Sequence, residues 1–249
     1  MKILADTYYF LRPAELTEKL REKRIISEKR LPKVEIIITE SQLTKLEKIF
    51  IMKINQILEK VKKILDETRR KKEKITNIII KLGNEADATV FLIALKAYLG
   101  KDISDLLDLK KRHKAKHKFS RKDLRKLTQK ISKDVGKPVY IRGGIETLST
   151  PIRSKIKRVL EEYLRKKCIN FSVRSPEEKK EELRKFLKNI KENICKKKCG
   201  RQPDSEDVEL AYQFTRIARG LENSKILTQD KKDECLTCII NHVTPNLKL

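Results

Sequence analysis

Four carboxylates stand out by where they fall along the chain. Asp6 follows the apolar run Lys2-Ile3-Leu4-Ala5, and Glu40 follows Val34-Glu35-Ile36-Ile37-Ile38-Thr39. Asp207 lies in the first turn of a helically patterned stretch from Ser205 to Arg219, and Asp230 comes just after Ile226-Leu227-Thr228. Short β-branched or apolar runs closed by polar residues read as buried strands. In a parallel sheet the carboxyl ends of the strands open on one crevice. Acids gathered there repel one another unless a cation lies between them, and hard divalent cations such as Mg2+ or Mn2+ take oxygen ligands of this kind. One such ion generates hydroxide and a second stabilises a leaving oxygen, which is the chemistry of phosphodiester hydrolysis. The plainer role of each acid is a helix cap or a favourable charge at a positive helix end. Asp204, Glu206 and Glu209 compete with Asp207 for the third position.

The cysteines offer a second chemistry. Cys195-Lys196-Lys197-Lys198-Cys199 and Cys235-Leu236-Thr237-Cys238 form two close pairs. Four thiolates from them would hold a structural Zn2+ or an iron–sulfur cluster. Disulfide pairing and free thiols are the alternatives; metal binding is the better default in a reducing compartment, hyperthermophiles excepted. Cys168 has no obvious partner and reads as a small core residue.

The charge balance restricts the partner. The 249 residues carry 61 Lys and Arg against 35 Asp and Glu, a net charge of +26. A Lys- and Glu-rich composition of the thermophilic kind would match bases with acids, so it accounts for only part of the excess. A charge of this size is tolerated when a polyanion neutralises it. It is also clustered: Lys110 to Asp134 holds twelve Lys or Arg against two Asp. Lys110, Lys111, Arg112, Lys114, Lys116, Lys118, Arg121, Lys122, Arg125 and Lys126 form the expected phosphate-contacting surface. His113 and His117 read as further polar surface rather than as metal ligands. Nothing in this segment supplies a base-reading code, so recognition by shape or backbone is expected. No apolar stretch is long enough to span a membrane, and Asp6 interrupts the run a signal peptide would need. An intracellular, cytoplasmic protein is the expectation.

Three parts are expected to position these groups. Residues 1–104 alternate strands and helices, residues 105–198 are basic and mostly helical, and residues 199–249 return to a helix–strand–helix pattern. A long helix is expected from Leu43 to Leu65, where apolar residues recur at helical spacing. Asn77-Ile78-Ile79-Ile80 reads as a further strand, and Glu85–Leu99 as a helix closed by Gly100. Pro151 opens a helix with Ile152, Ile156, Val159, Leu160, Tyr163 and Leu164 on one face. Ser175-Pro176-Glu177-Glu178 is a capping box that opens another. These two would pair as an antiparallel hairpin.

At the two ends the chain resembles the PIN-like nucleases. Ile3-Leu4-Ala5-Asp6-Thr7 is similar to their opening strand, and Ile37-Ile38-Thr39-Glu40-Ser41-Gln42-Leu43 to their second strand and the Glu that starts the next helix. Asp204-Ser205-Glu206-Asp207-Val208-Glu209-Leu210-Ala211 resembles their acid-started helix, and Ile226-Leu227-Thr228-Gln229-Asp230-Lys231 their closing strand. The fragments occur in the family's order. The resemblance implies an α/β fold: a PIN-like parallel sheet flanked by helices, here with a large basic helical insertion. It implies an RNA-cutting endonuclease using Mg2+ or Mn2+, with Asp6, Glu40, Asp207 and Asp230 as ligands and Glu209 as a neighbouring or alternative one. Tyr8-Tyr9 depart from the family, which has smaller residues there. The competing expectation is a non-catalytic nucleic-acid-binding subunit of a replication or RNA-processing complex with a Cys-bound metal. A third is a ribosome-associated basic protein.

Overall fold

The computed structural model describes residues 1–26, 34–101, 104–107, 117–135, 151–174, 180–190, 205–221, 224–228, 236 and 238–240. Two compact units divide the chain. One comprises residues 1–8, 20–40 and 168–249, and the other residues 9–19 and 41–167. These limits differ from the three-part division read from the sequence.

The first unit is built on a four-stranded sheet. Its strands are β1 (Lys2–Ala5), β2 (Val34–Thr39), β5 (Ile169–Arg174) and β6 (Ser224–Leu227), in the order β5-β2-β1-β6. All three pairings are parallel. Ile3, Leu4, Ala5, Val34, Ile36, Ile37 and Ile38 are wholly buried. Near-continuous apolar runs in central strands are what a parallel sheet covered on both faces requires. Leu4 and Ile37 pack in one cluster with Val208, Ala211 and Phe214 of α9 (Ser205–Arg219) and with Phe186 and Leu187 of α8 (Lys180–Asn189). Truncating a ring buried as deeply as Phe214 typically costs about 3–5 kcal/mol. The Phe186 and Tyr212 rings meet at 5.3 Å, and Arg216 of α9 pairs with Glu182 of α8.

Strand β5 corrects two expectations. Residues 169–174 form an edge strand beside β2, from Val34↔Ile169 to Thr39↔Arg174. The helices on either side of it are therefore joined through a strand of the sheet and are not the two arms of one helical hairpin. Cys168, expected in the core, is an exposed free thiol. It occupies the turn before β5 at φ +59°, the left-handed position where a chain leaves a helix and the side chain is turned outward. The capping box at 175–178 lies outside the described residues.

Helices α1 (Thr7–Leu11) and α2 (Pro13–Glu22) follow β1. The second unit takes residues 9–19 of these two helices and nearly all of the chain from α3 to α7. Helix α3 (Glu40–Glu67) is 28 residues long, about 42 Å at the standard rise. It leads through strand β3 (Lys72–Lys74) into α4 (Ile75–Leu82) and α5 (Glu85–Leu99), and strand β4 (Lys118–Ser120) leads into α6 (Arg121–Val135) before α7 (Pro151–Arg165). Every position of α5 from Asp87 to Leu95 is buried, which marks it as the helix the others pack around. On α7 the expected face of Ile152, Ile156, Val159, Leu160, Tyr163 and Leu164 is buried.

The strand expected at Asn77–Ile80 is helix α4. Ile75, Ile78, Ile79 and Leu82 are buried whereas Ile80 is 63 % exposed. That is spacing i, i+3, i+4, i+7, and it overrides the β-preference of the isoleucines. Gly83 ends the helix at φ +67°, and its N–H donates to the Ile80 carbonyl. Asn84 then accepts hydrogen bonds from the N–H groups of Ala86 and Asp87 and opens α5. No described helix is long and apolar enough to cross a membrane.

Candidate active site at the carboxyl end of the parallel sheet

Successive strands step outward from β1 through β2 to β5, and the chain then returns to the other side of β1 as β6. The switch in strand order therefore falls between β1 and β6, where an open α/β sheet forms its binding crevice. Asp6 stands at that point. Its N–H donates to the Leu227 carbonyl at 2.9 Å, which extends the β1–β6 ladder one step past the strand. One carboxylate oxygen, Oδ1, accepts from the N–H of Tyr8 at 3.3 Å. The other, Oδ2, accepts from the Thr228 hydroxyl at 3.3 Å. Asp6 thus caps α1, and its carboxylate is also fixed from the neighbouring strand end. Thr228 is a partner of Asp6 that spacing did not single out, although it falls within the Ile226–Lys231 fragment.

Glu40 follows directly on β2, the other neighbour of β1, as the first residue of α3. Both carboxylates therefore leave the same end of adjacent strands in the same unit. Asp207 and Glu209 are half-buried near the start of α9. Two residues along a helix differ by about 200°, so they cannot present their side chains to one face. Asp207 precedes Ala211 and Phe214 at i+4 and i+7 and so continues the stripe packed with Leu4 and Ile37. Glu209 instead accepts from the Gln213 side chain at 3.2 Å.

The donor set is entirely oxygen, which fits a hard divalent cation in kind. Among the described residues, no group of three His, Cys, Asp or Glu side chains is assembled that could hold one. Asp230 lies outside the described residues, as do Asp204, Cys195, Cys199 and Cys235. Cys238 is buried with Leu236, Ile239 and Ile240 in the cluster under the sheet, and it is disulfide-bonded. That is one of the alternatives the sequence leaves open for the cysteines.

In the second unit Lys118, Arg121, Lys122, Arg125 and Lys126 are all exposed, and His117 is exposed beside them. Lys110, Lys111, Arg112, Lys114 and Lys116 lie outside the described residues. Arg121 is tied down, bonding Asp66 at 2.8 Å and the Leu65 carbonyl at 3.4 Å. A cleft of about 520 Å3 in this unit is lined by Tyr98, Lys130, Lys133, Asp134 and Lys155. Two of its lysines already have structural partners: Lys155 pairs with Asp134 at 2.6 Å, and Lys130 donates to the Tyr98 carbonyl at 2.8 Å. Asp6, Glu40 and Asp207 are not among its lining residues.

The chain matches no protein-family model, no curated protein and no solved structure at a significant level.

Proposed function

We propose that this protein is a metal-dependent endonuclease of PIN-like type that hydrolyses phosphodiester bonds in RNA. The observation that carries the reading is Asp6 at the switch point of a parallel sheet, held by Thr228 on one neighbouring strand end, with Glu40 on the other. Asp6 and Glu40 would hold Mg2+ or Mn2+ with Asp207 and Asp230 completing the ligand set. A cation bound there supplies a water of lowered pKa and neutralises charge on the phosphate. The chain's own part is to fix the Asp6 carboxylate through Thr228 and to bind the phosphate backbone with the cations of the second unit, which position a strand without reading its sequence.

The test is cleavage of labelled single-stranded and structured RNA with Mn2+ or with EDTA, by the wild type and by Asp6→Asn. Cation-dependent cutting that disappears in Asp6→Asn supports the nuclease. RNA binding with no cutting on any substrate supports the second reading, a nucleic-acid-binding subunit without catalysis. What favours that alternative is that Asp6 has a complete structural role as the cap of α1.

A further inference from the structure

Strands β3 and β4 form an antiparallel ribbon of three residues each, paired Lys72↔Ser120, Glu73↔Phe119 and Lys74↔Lys118. Alternation puts the central pair inward: Glu73 is 4 % exposed and Phe119 not at all. Lys72, Lys74 and Lys118 are exposed, and the last two stand directly opposite each other. Like charges across a ladder are destabilising, so this placement has a cost in the isolated protein that an anion lying across the ribbon would remove.

The neighbouring helix extends the surface. Lys122, Arg125 and Lys126 are exposed on α6, which starts where β4 ends. None of these six cations has an acidic partner among the described residues. Five other cations of the same unit are paired: Lys53 and Lys60 with Asp87, Lys96 with Glu162, Lys155 with Asp134 and Arg153 with Glu47. The ribbon and the first half of α6 thus bring six such cations together on adjoining elements.

The scaffold beneath is fixed. Lys101 donates to both the Lys118 carbonyl and Asp123. Ser120 and Asp123 bond each other reciprocally at the start of α6, Ser120 N–H to Asp123 at 3.0 Å and Asp123 N–H to the Ser120 hydroxyl at 3.2 Å. The Phe119 ring meets Phe91 edge-on at 5.5 Å. Surfaces that bind single strands stack bases on exposed aromatic rings, yet every described aromatic ring of this unit is buried. A rigid cationic surface without stacking rings suits the phosphates of a duplex, which keeps its bases to itself.

We infer that the β3–β4 ribbon and the first half of α6 grip the backbone of a double-stranded stretch of RNA. This rests on the nucleic-acid-binding part of the function proposed above and not on cleavage. The test is fluorescence anisotropy in EDTA with a labelled RNA duplex, its single strand and a DNA duplex of the same sequence. The proteins are the wild type, Lys72→Gln/Lys74→Gln/Lys118→Gln, and a control of equal charge loss on exposed positions of α7, Lys157→Gln/Arg158→Gln/Arg165→Gln. The wild type is expected to prefer the RNA duplex. The ribbon variant should bind it about 30-fold more weakly at roughly 0.1 M salt, with a salt slope smaller by about two to three, and the control should change less than about threefold. Equal losses in the two variants overturn the inference, as does tighter binding of the single strand or the DNA duplex. Those results leave the nuclease reading standing. A wild type that binds no nucleic acid at all overturns both.

Discussion

The Thr228 hydroxyl donates to the Asp6 carboxylate across 222 residues of sequence, joining the ends of β6 and β1 at the switch point of the sheet. In the proposed site this hydroxyl would orient a ligand oxygen without itself binding substrate. Removing a partner of this kind typically lowers metal affinity or activity about 10–100-fold. Thr228→Val is therefore expected to raise the Mn2+ concentration needed for half-maximal cleavage by that factor, with saturating Mn2+ restoring most of the rate. Asp6→Asn should abolish cleavage at every Mn2+ concentration. If Thr228→Val lowers the rate equally at all Mn2+ concentrations, the positioning role is wrong.

Asp87 lies in the first turn of α5 and receives Lys53 at 2.8 Å and Lys60 at 3.1 Å. Burial alone would raise its pKa, but the hydrogen bonds and charges of the two lysines outweigh it and hold the carboxyl below its ordinary value. With the folded pKa below the unfolded one, the unfolded chain binds more protons between them, so stability rises with pH there. The contribution is complete above the ordinary carboxylate range and is lost as pH falls through the lowered folded value. Asp87→Asn should flatten the acid limb of a urea-stability profile; an unchanged limb would mean that the lysines contribute nothing.

Glu47 and Arg153 form a buried pair in the second unit at 3.5 Å, with side chains 5 % and 9 % exposed. Burial raises the Glu47 pKa more than the Arg153 charge and hydrogen bond lower it. This pair therefore has the opposite sign to Asp87: stability falls as pH rises from the ordinary carboxylate value through the raised one. Removing one partner of a buried pair strands the other, at about 3–5 kcal/mol, whereas apolar replacement of both is often neutral. Arg153→Met should be strongly destabilised in urea melts, and Glu47→Leu/Arg153→Met much less so. A double variant as unstable as the sum of its parts would count against a charge-pair origin.

Strands β1 and β2 are legible because central parallel strands are nearly all apolar, and Asp6 and Glu40 are legible because they end such runs; β6, an edge strand, shows only through Ile226-Leu227. Strand β5 is not. At an edge, Asn170 and Arg174 remain exposed, so no apolar run marks it within a basic stretch. The ribbon is hidden for a related reason: Lys72-Glu73-Lys74 shows a strand only through the burial of Glu73, which Asn77 holds at 2.6 Å. Helix α4 misleads because five of its residues carry β-branched side chains; extending the window to Ile75 and Leu82 reveals the helical period. The Thr228–Asp6 bond depends on strand order, which no local pattern encodes.

Cys168 holds a left-handed backbone, φ +59°, with an exposed free thiol. A residue with a Cβ in that region carries roughly 1 kcal/mol of strain that glycine avoids. Since the side chain is exposed, Cys168→Gly removes little packing and is expected to raise the melting temperature by about 2–4 °C. Cys168→Ala, which keeps the Cβ, should leave it near the wild-type value and thereby separates backbone strain from any effect of the sulfur. The two substitutions also address the cysteine chemistry. Cys238 is disulfide-bonded, so in unreduced protein a thiol reagent should label Cys168 and leave Cys238 unlabelled. Prompt labelling of Cys238 together with stoichiometric Zn2+ in the purified protein would instead favour thiolate ligation over the disulfide.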